Sequence, residues 1–246
     1  MEMLVAVAIF MVIAGAAFGL LSNTQRRYRS DSQILTAFQQ ERLAVDQIVR
    51  DINDSGYPPA NHFSVATPPG NLYAITPLAW TPGYPAACTI GGTCTTPGGF
   101  DMIIETDYDG TGVKWIRYQL VGTTLNRGVT PKVAGADPGA ATSAAGVMVP
   151  YVTNVVNNAP AATINQIRTY YPSMFPGAVA QPIFQYACDT AGGPQLCPGA
   201  GANNSPVNVR DVEITLIVQT PQNDAQTQAP HLVELSGRGH RINPNK

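Results

Sequence analysis

The sequence predicts an α+β fold: one long N-terminal α-helix packed on an antiparallel β-sheet head. Three observations carry that expectation. Met3 to Leu21 is a run of nineteen uncharged residues, preceded by the single acid Glu2. All 21 prolines lie at or after Pro58, and 21 of the 23 glycines at or after Gly56, so an unbroken helix can run to about Ser55. Beyond that point apolar residues recur at a spacing of two between turn-forming clusters, the pattern of strands. The chain therefore divides into a helical piece, 1–56, with an apolar segment at about 3–21, and a β-rich head, 57–246.

Nineteen residues at about 1.5 Å each make a rod of roughly 28 Å, close to the hydrocarbon thickness of a bilayer, about 30 Å. A secretory signal would start with basic residues and end in a small-residue cleavage site. Here the basic residues Arg26, Arg27 and Arg29 follow the apolar run, so the segment reads as a retained anchor or as a helix buried in a filament. From Ser22 to Asp54 the helix turns amphipathic. At 100° per residue Ile34, Phe38, Val45, Ile48, Val49 and Ile52 share a stripe that should face the head. Glu41 interrupts that stripe, and Leu43 lies opposite it. No heptad is sustained through both halves, which argues against a coiled coil. Gly56 stands where a left-handed cap is wanted, and Pro58-Pro59 block continuation.

In the head, Phe100 to Thr106 and Val113 to Val121 flank a turn-rich Asp107-Tyr108-Asp109-Gly110-Thr111-Gly112 and read as a hairpin, with Thr123 to Arg127 extending it. Val212, Ile214, Leu216 and Val218 alternate with Asp211, Glu213, Thr215 and Ile217 as a half-buried strand. His231 to Ser236 should return antiparallel after a polar loop from Pro221 to Pro230. Gly135 to Gly146 and Gly192 to Pro206, rich in small residues, read as irregular loops.

A formal charge of −2 with 12% charged residues lacks the basic face of a nucleic-acid binder. The four cysteines fall into two close pairs, Cys88/Cys94 and Cys188/Cys197. Zinc ligands are usually spaced more tightly and joined by histidine. The pairs read as two loop-closing disulfides in an oxidising compartment, the alternative being four reduced thiols. By the positive-inside rule the arginines after the span would hold the head in the cytoplasm. The paired cysteines favour the other side, and they decide the expectation because the flank before Glu2 is a single residue.

Glu2-Met-Leu-Val-Ala-Val-Ala-Ile-Phe10 resembles the start of mature type IV pilins and pseudopilins. Glu41-Arg-Leu-Ala-Val-Asp-Gln-Ile-Val-Arg-Asp-Ile-Asn-Asp-Ser-Gly-Tyr57 is similar to the helix end of W-type minor pilins and of the J-type minor pseudopilin of type II secretion. Trp115 to Arg127 and Asn208 to Leu216 echo the same group more weakly. The resemblance implies a filament subunit, held first in the inner membrane with a periplasmic head and then packed with other pilin or pseudopilin subunits in a fibre. It implies that Glu2 pairs with a neighbouring subunit's amino terminus, and that the family's leader and the residues preceding the glutamate belong upstream of this chain. A carboxylate in hydrocarbon needs such a partner; as an exposed acid at a helix start it would interact only with the helix dipole. Leu4, Val5, Val7, Ile9, Phe10, Val12 and Ile13 would supply filament-core packing, with Gly15 and Gly19 allowing close backbone approach.

Three further constellations have bland readings. Asp107, Asp109 and Thr111 partly imitate a calcium loop, but Tyr118 stands where an EF-hand needs a carboxylate, so a hairpin turn is favoured. Arg26, Arg27, Tyr28 and Arg29 either snorkel to lipid phosphates or face acids of adjacent helices such as Asp31 or Asp46. No Gly-x-Ser-x-Gly or His-Glu-x-x-His motif occurs, and His231 and His240 read as structural, so neither an enzyme nor a bound cofactor is expected. The leading expectation is a minor pilin or pseudopilin, with pilus and type II secretion not distinguished. The alternative is a signal-anchored periplasmic or surface binding protein that uses the helix only as a tether.

Overall fold

In the computed structural model, which describes residues 2–79, 98–190, 193–197, 209–224 and 229–241, the N-terminal piece is one continuous helix. This helix, α1 (Glu2–Asn53), has 52 residues and so spans about 78 Å. It ends as anticipated: Gly56 adopts φ 81°, and its amide donates to the Glu105 carbonyl at 2.8 Å, so the stop is also a tie to the head.

Among the described residues the head holds two four-stranded antiparallel sheets, where one sheet was expected. The first is a meander of β1 (Asp101–Thr106), β2 (Lys114–Val121), β3 (Thr124–Pro131) and β4 (Met148–Val152) in that order. The second is ordered β6-β5-β7-β8, from β5 (Phe184–Thr190), β6 (Gly193–Leu196), β7 (Val209–Asn223) and β8 (Pro230–His240). Their ends are stitched together. The Ile183 and Phe184 amides both donate to the Gly99 carbonyl, at 2.8 and 3.0 Å, and Val155 bridges Val218.

The docked half of α1 fills the space where the sheets meet. Ile48 and Ile52 join Ile104, Ile116 and Leu125 of the first sheet and Phe184, Ile214 and Leu216 of the second in one buried cluster. The alternation of β7 matches the expectation: Val212, Ile214 and Leu216 face α1, and Ile217 faces the other way. There it meets Ile164 and Ile167 of α3 (Ala161–Tyr170), together with Val156 and Phe175.

The helix-facing stripe is shifted from the one expected. Its buried members are Ala37, Glu41, Ala44, Val45, Ile48, Asp51 and Ile52. Phe38 stays 39% exposed and Ile34 is half-buried. The small residues Ala37 and Ala44 bring the backbone close, which draws Glu41 inward and swings Phe38 to the rim. Leu43 points away from the head, 69% exposed. The segment from Gly135 to Gly146 is not wholly irregular, because α2 (Pro138–Thr142) forms within it. Asp137 caps it, accepting from the Gly139 and Ala140 amides at 2.7 and 3.3 Å, and Pro138 opens its first turn. Arg117 on β2 then clamps this turn, donating to the Gly139 carbonyl and Ser143 hydroxyl while paired with Asp101. Likewise β6 lies inside the stretch read as a loop from Gly192.

Candidate functional site

The residues expected to meet other subunits stand outside the head. Leu4, Val5, Val7, Ile9, Phe10, Val12 and Ile13 are each between 52% and 78% exposed. They lie all round the helix, which is the pattern of a segment enclosed by its surroundings and not of a surface helix. The segment is long and apolar enough to cross a membrane, and none of it is buried against the protein itself. At Gly15 and Gly19 a Cβ would meet nothing within 4 Å, so a neighbouring helix could approach both. Glu2 sits in the first turn, exposed, thirty-five residues before Ala37, the first buried position of α1. That distance is about 52 Å of helix, so its own head cannot supply a partner.

The other half of α1 is built into the head, and three places along it stand out. At Asp51, the Tyr118 hydroxyl donates at 2.6 Å and Arg127 at 2.9 Å to the same carboxylate oxygen, while Gln47 donates to the other at 2.7 Å. Arg127 also donates to the Tyr118 oxygen at 2.9 Å. Burial, with the Asp51 charge beside it, pushes the Tyr118 phenol up, so it remains a donor. This network joins two stretches that carry the resemblance, Glu41 to Tyr57 and Trp115 to Arg127.

At β8, two glycines face the helix in alternate positions. A Cβ on Gly237 would stand 2.6 Å from Val45, and one on Gly239 2.5 Å from Ile52. Only glycine lets α1 lie this close to the strand. Gly-x-Gly at strand spacing, Gly237-Arg238-Gly239, was the available signal, hidden because apolar periodicity ignores glycine.

The third place is Glu41. It is fully buried, and among the described residues neither carboxylate oxygen makes a well-formed hydrogen bond. Burial pushes its carboxyl up to about 8; the Leu235 amide opposes that rise and the Glu234 charge adds to it. At neutral pH the group is mostly a neutral acid in the seam between helix and sheet.

The remaining expected residues do not converge. Asp109 accepts from the Thr111 amide at 3.2 Å and hydroxyl at 2.8 Å, and pairs with Lys114. The Lys114 hydrogen bond, then those of Thr111, lower its carboxyl to about 2. Asp107 to Gly112 is the turn of the β1–β2 hairpin, and its carboxylate already has a cation of its own chain. Tyr118 points instead to Asp51. Cys188 and Cys197 form a disulfide that closes the β5–β6 hairpin; Cys88 and Cys94 lie outside the described residues. His231 and His240 occupy opposite ends of β8, about 30 Å apart by strand rise. His240 Nδ1 lies 2.6 Å from Asp211, which also accepts from Arg238 at 2.8 Å. Against the upward push of burial, these two contacts hold the Asp211 carboxyl below its ordinary range. A shallow groove of about 240 Å³ runs past this pair, lined also by Gln185, Gln195 and Glu213. The buried Lys132–Glu105 pair, 2.5 Å apart, is structural: Lys132 also donates to the Tyr73 carbonyl, and Glu105 accepts from the Trp115 indole and the Ile75 amide. Among the described residues no group of three or more histidine, cysteine or acidic side chains is placed to hold a metal ion.

No family model, curated protein or solved structure is significantly similar to the chain.

Proposed function

We propose that this chain is a minor pilin or pseudopilin, a structural subunit that enters a type IV pilus or a type II secretion pseudopilus through its N-terminal helix. The observation that carries this reading is the division of α1 into two halves with opposite needs. Residues 3–21 are apolar on every side and touch nothing of their own chain, whereas residues 37–52 are built into the head. Exposing seven large apolar side chains to water would be unfavourable by about 1.5–3 kcal/mol each, so the bare half requires lipid first and other helices after extraction. A plain tether needs only an apolar rod; it has no use for a lone acid at the rod's start, about 42 Å along the helix from Ser30, where the rod bonds Asp224 of the head. The convergence of Asp51, Tyr118 and Arg127 adds support, since it fastens helix to head through the stretches that resemble the minor subunits.

In this reading Glu2 is neutralised by a neighbouring subunit as protomers stack, and the cell-surface or periplasmic head is carried on the outside of the fibre. Glu2→Ala tests it. The variant should insert into membranes as the wild type does, while its recovery in sheared filaments falls at least tenfold. Equal recovery of variant and wild type in the filament fraction would reject the assigned role of Glu2.

A further inference from the structure

The structure places a charged surface where the apolar rod meets the head. Arg26, Arg27 and Arg29 are exposed, and none enters an ion pair or hydrogen bond among the described residues. They lie five to eight residues beyond Leu21, about 8–12 Å along the axis. A headgroup layer is about 5–8 Å thick on each side of the hydrocarbon, and an arginine stem can reach down several ångströms more. At 100° per residue the three fan over an arc of about 160°, on the side that carries Ser30, Gln33, Ala37 and Glu41. That is the side from which the head hangs.

The underside of the head meets the helix from Ser30, the residue after Arg29. Ser30 Oγ donates to Asp224 at 3.3 Å, and Gln33 Nε2 donates to Gln222 Oε1 at 3.1 Å. Ser30 lies about 14 Å beyond Leu21. With the apolar run filling the hydrocarbon, the head therefore stands just clear of the headgroup layer, and the gap between them is occupied by three guanidinium groups that have no partner among the described residues.

We infer that Arg26, Arg27 and Arg29 form a collar that binds the phosphates of anionic lipid headgroups while the protein waits in the membrane. This rests on the membrane-inserted stage of the function proposed above, but not on assembly. Guanidinium forks match phosphate oxygens in pairs. Each basic group near an anionic surface strengthens its attraction roughly fivefold. The collar also sets the depth of the helix, keeping Leu21 at the edge of the hydrocarbon.

Full-length protein reconstituted into phosphatidylcholine vesicles, with and without 30 mol% phosphatidylglycerol as about one anionic lipid in three, tests the inference. The readouts are flotation after alkaline extraction and the fraction of spin-labelled phosphatidylglycerol immobilised by the protein. The wild type should float with both vesicles and immobilise phosphatidylglycerol over phosphatidylcholine fivefold or more, a preference weakened by salt. The triple variant R26Q/R27Q/R29Q should float equally and lose the preference. The control R42Q/R50Q should retain it, since those exposed arginines lie about 32 and 44 Å beyond Leu21. Flotation without lipid preference in the wild type would overturn the collar alone, and so would a preference that survives in the triple variant. Failure to float with either vesicle would overturn the membrane stage itself.

Discussion

The two halves of α1 share one unbroken backbone and differ in everything around it. The docked half buries seven positions against two sheets, and its neighbours fit to within the width of a missing Cβ at Gly237 and Gly239. The bare half has no neighbour and no internal reason to be helical beyond the propensity of its alanines and leucines. Helical structure in the first is specified by the head; in the second it is specified by whatever surrounds it. One element thus has one half built into the core and one half bare of its own chain, and the changeover falls within the fifteen residues between Leu21 and Ala37.

That contrast can be broken by paired substitutions. Ile48→Ala, in the docked half, should lower the unfolding free energy of the full chain in detergent by about 3–4 kcal/mol. Ile9→Ala should change it by less than about 0.5 kcal/mol, and comparable losses at both sites would mean that the bare half also packs on the head. Gly239→Val should cost about 2–3 kcal/mol, because the new side chain must displace Ile52 or the strand. Its signature is a lower melting temperature with membrane flotation unchanged.

The last of these effects depends on pH. Glu41 has a folded pKa of about 8 against 4.5 for the ordinary group, so the unfolded chain ionises first. The stabilisation is fully present below about pH 4.5 and is lost as pH rises to about 8. Glu41→Gln should remove that slope, matching the wild type near pH 4 and exceeding it increasingly as pH rises towards 8. Thermal melts of the two proteins across this range decide it, and parallel pH profiles would show that Glu41 does not titrate in the seam.

The docked half also marks the limit of what was legible in the sequence. The helix, its stop at Gly56, the β1–β2 hairpin and the alternation along β7 follow from proline placement and apolar spacing, which are local signals. The split into two sheets does not, because β4 and α3 are short and their apolar residues answer to partners distant in sequence, such as Val152 against Leu125 and Ile164 in the cluster with Ile217. The error at Phe38 has the same origin. A helical wheel ranks residues by hydrophobicity, whereas the sheet selected for small size at Ala37 and Ala44. Buried polar residues were the least visible: Asp51 and Glu41 sit in the stripe, and nothing in a linear pattern separates a partnered acid from an orphan one. The apolar segment was the most legible part, since a run that is apolar on every side is conspicuous in the sequence alone.

The glycine seam on β8 has a mechanical consequence. With no side chain between strand and helix, α1 has no slack in which to roll or slide relative to the head. A rotation applied to the bare half of the rod would therefore be passed on to the head, whose compass bearing would follow residues tens of ångströms away that it never touches.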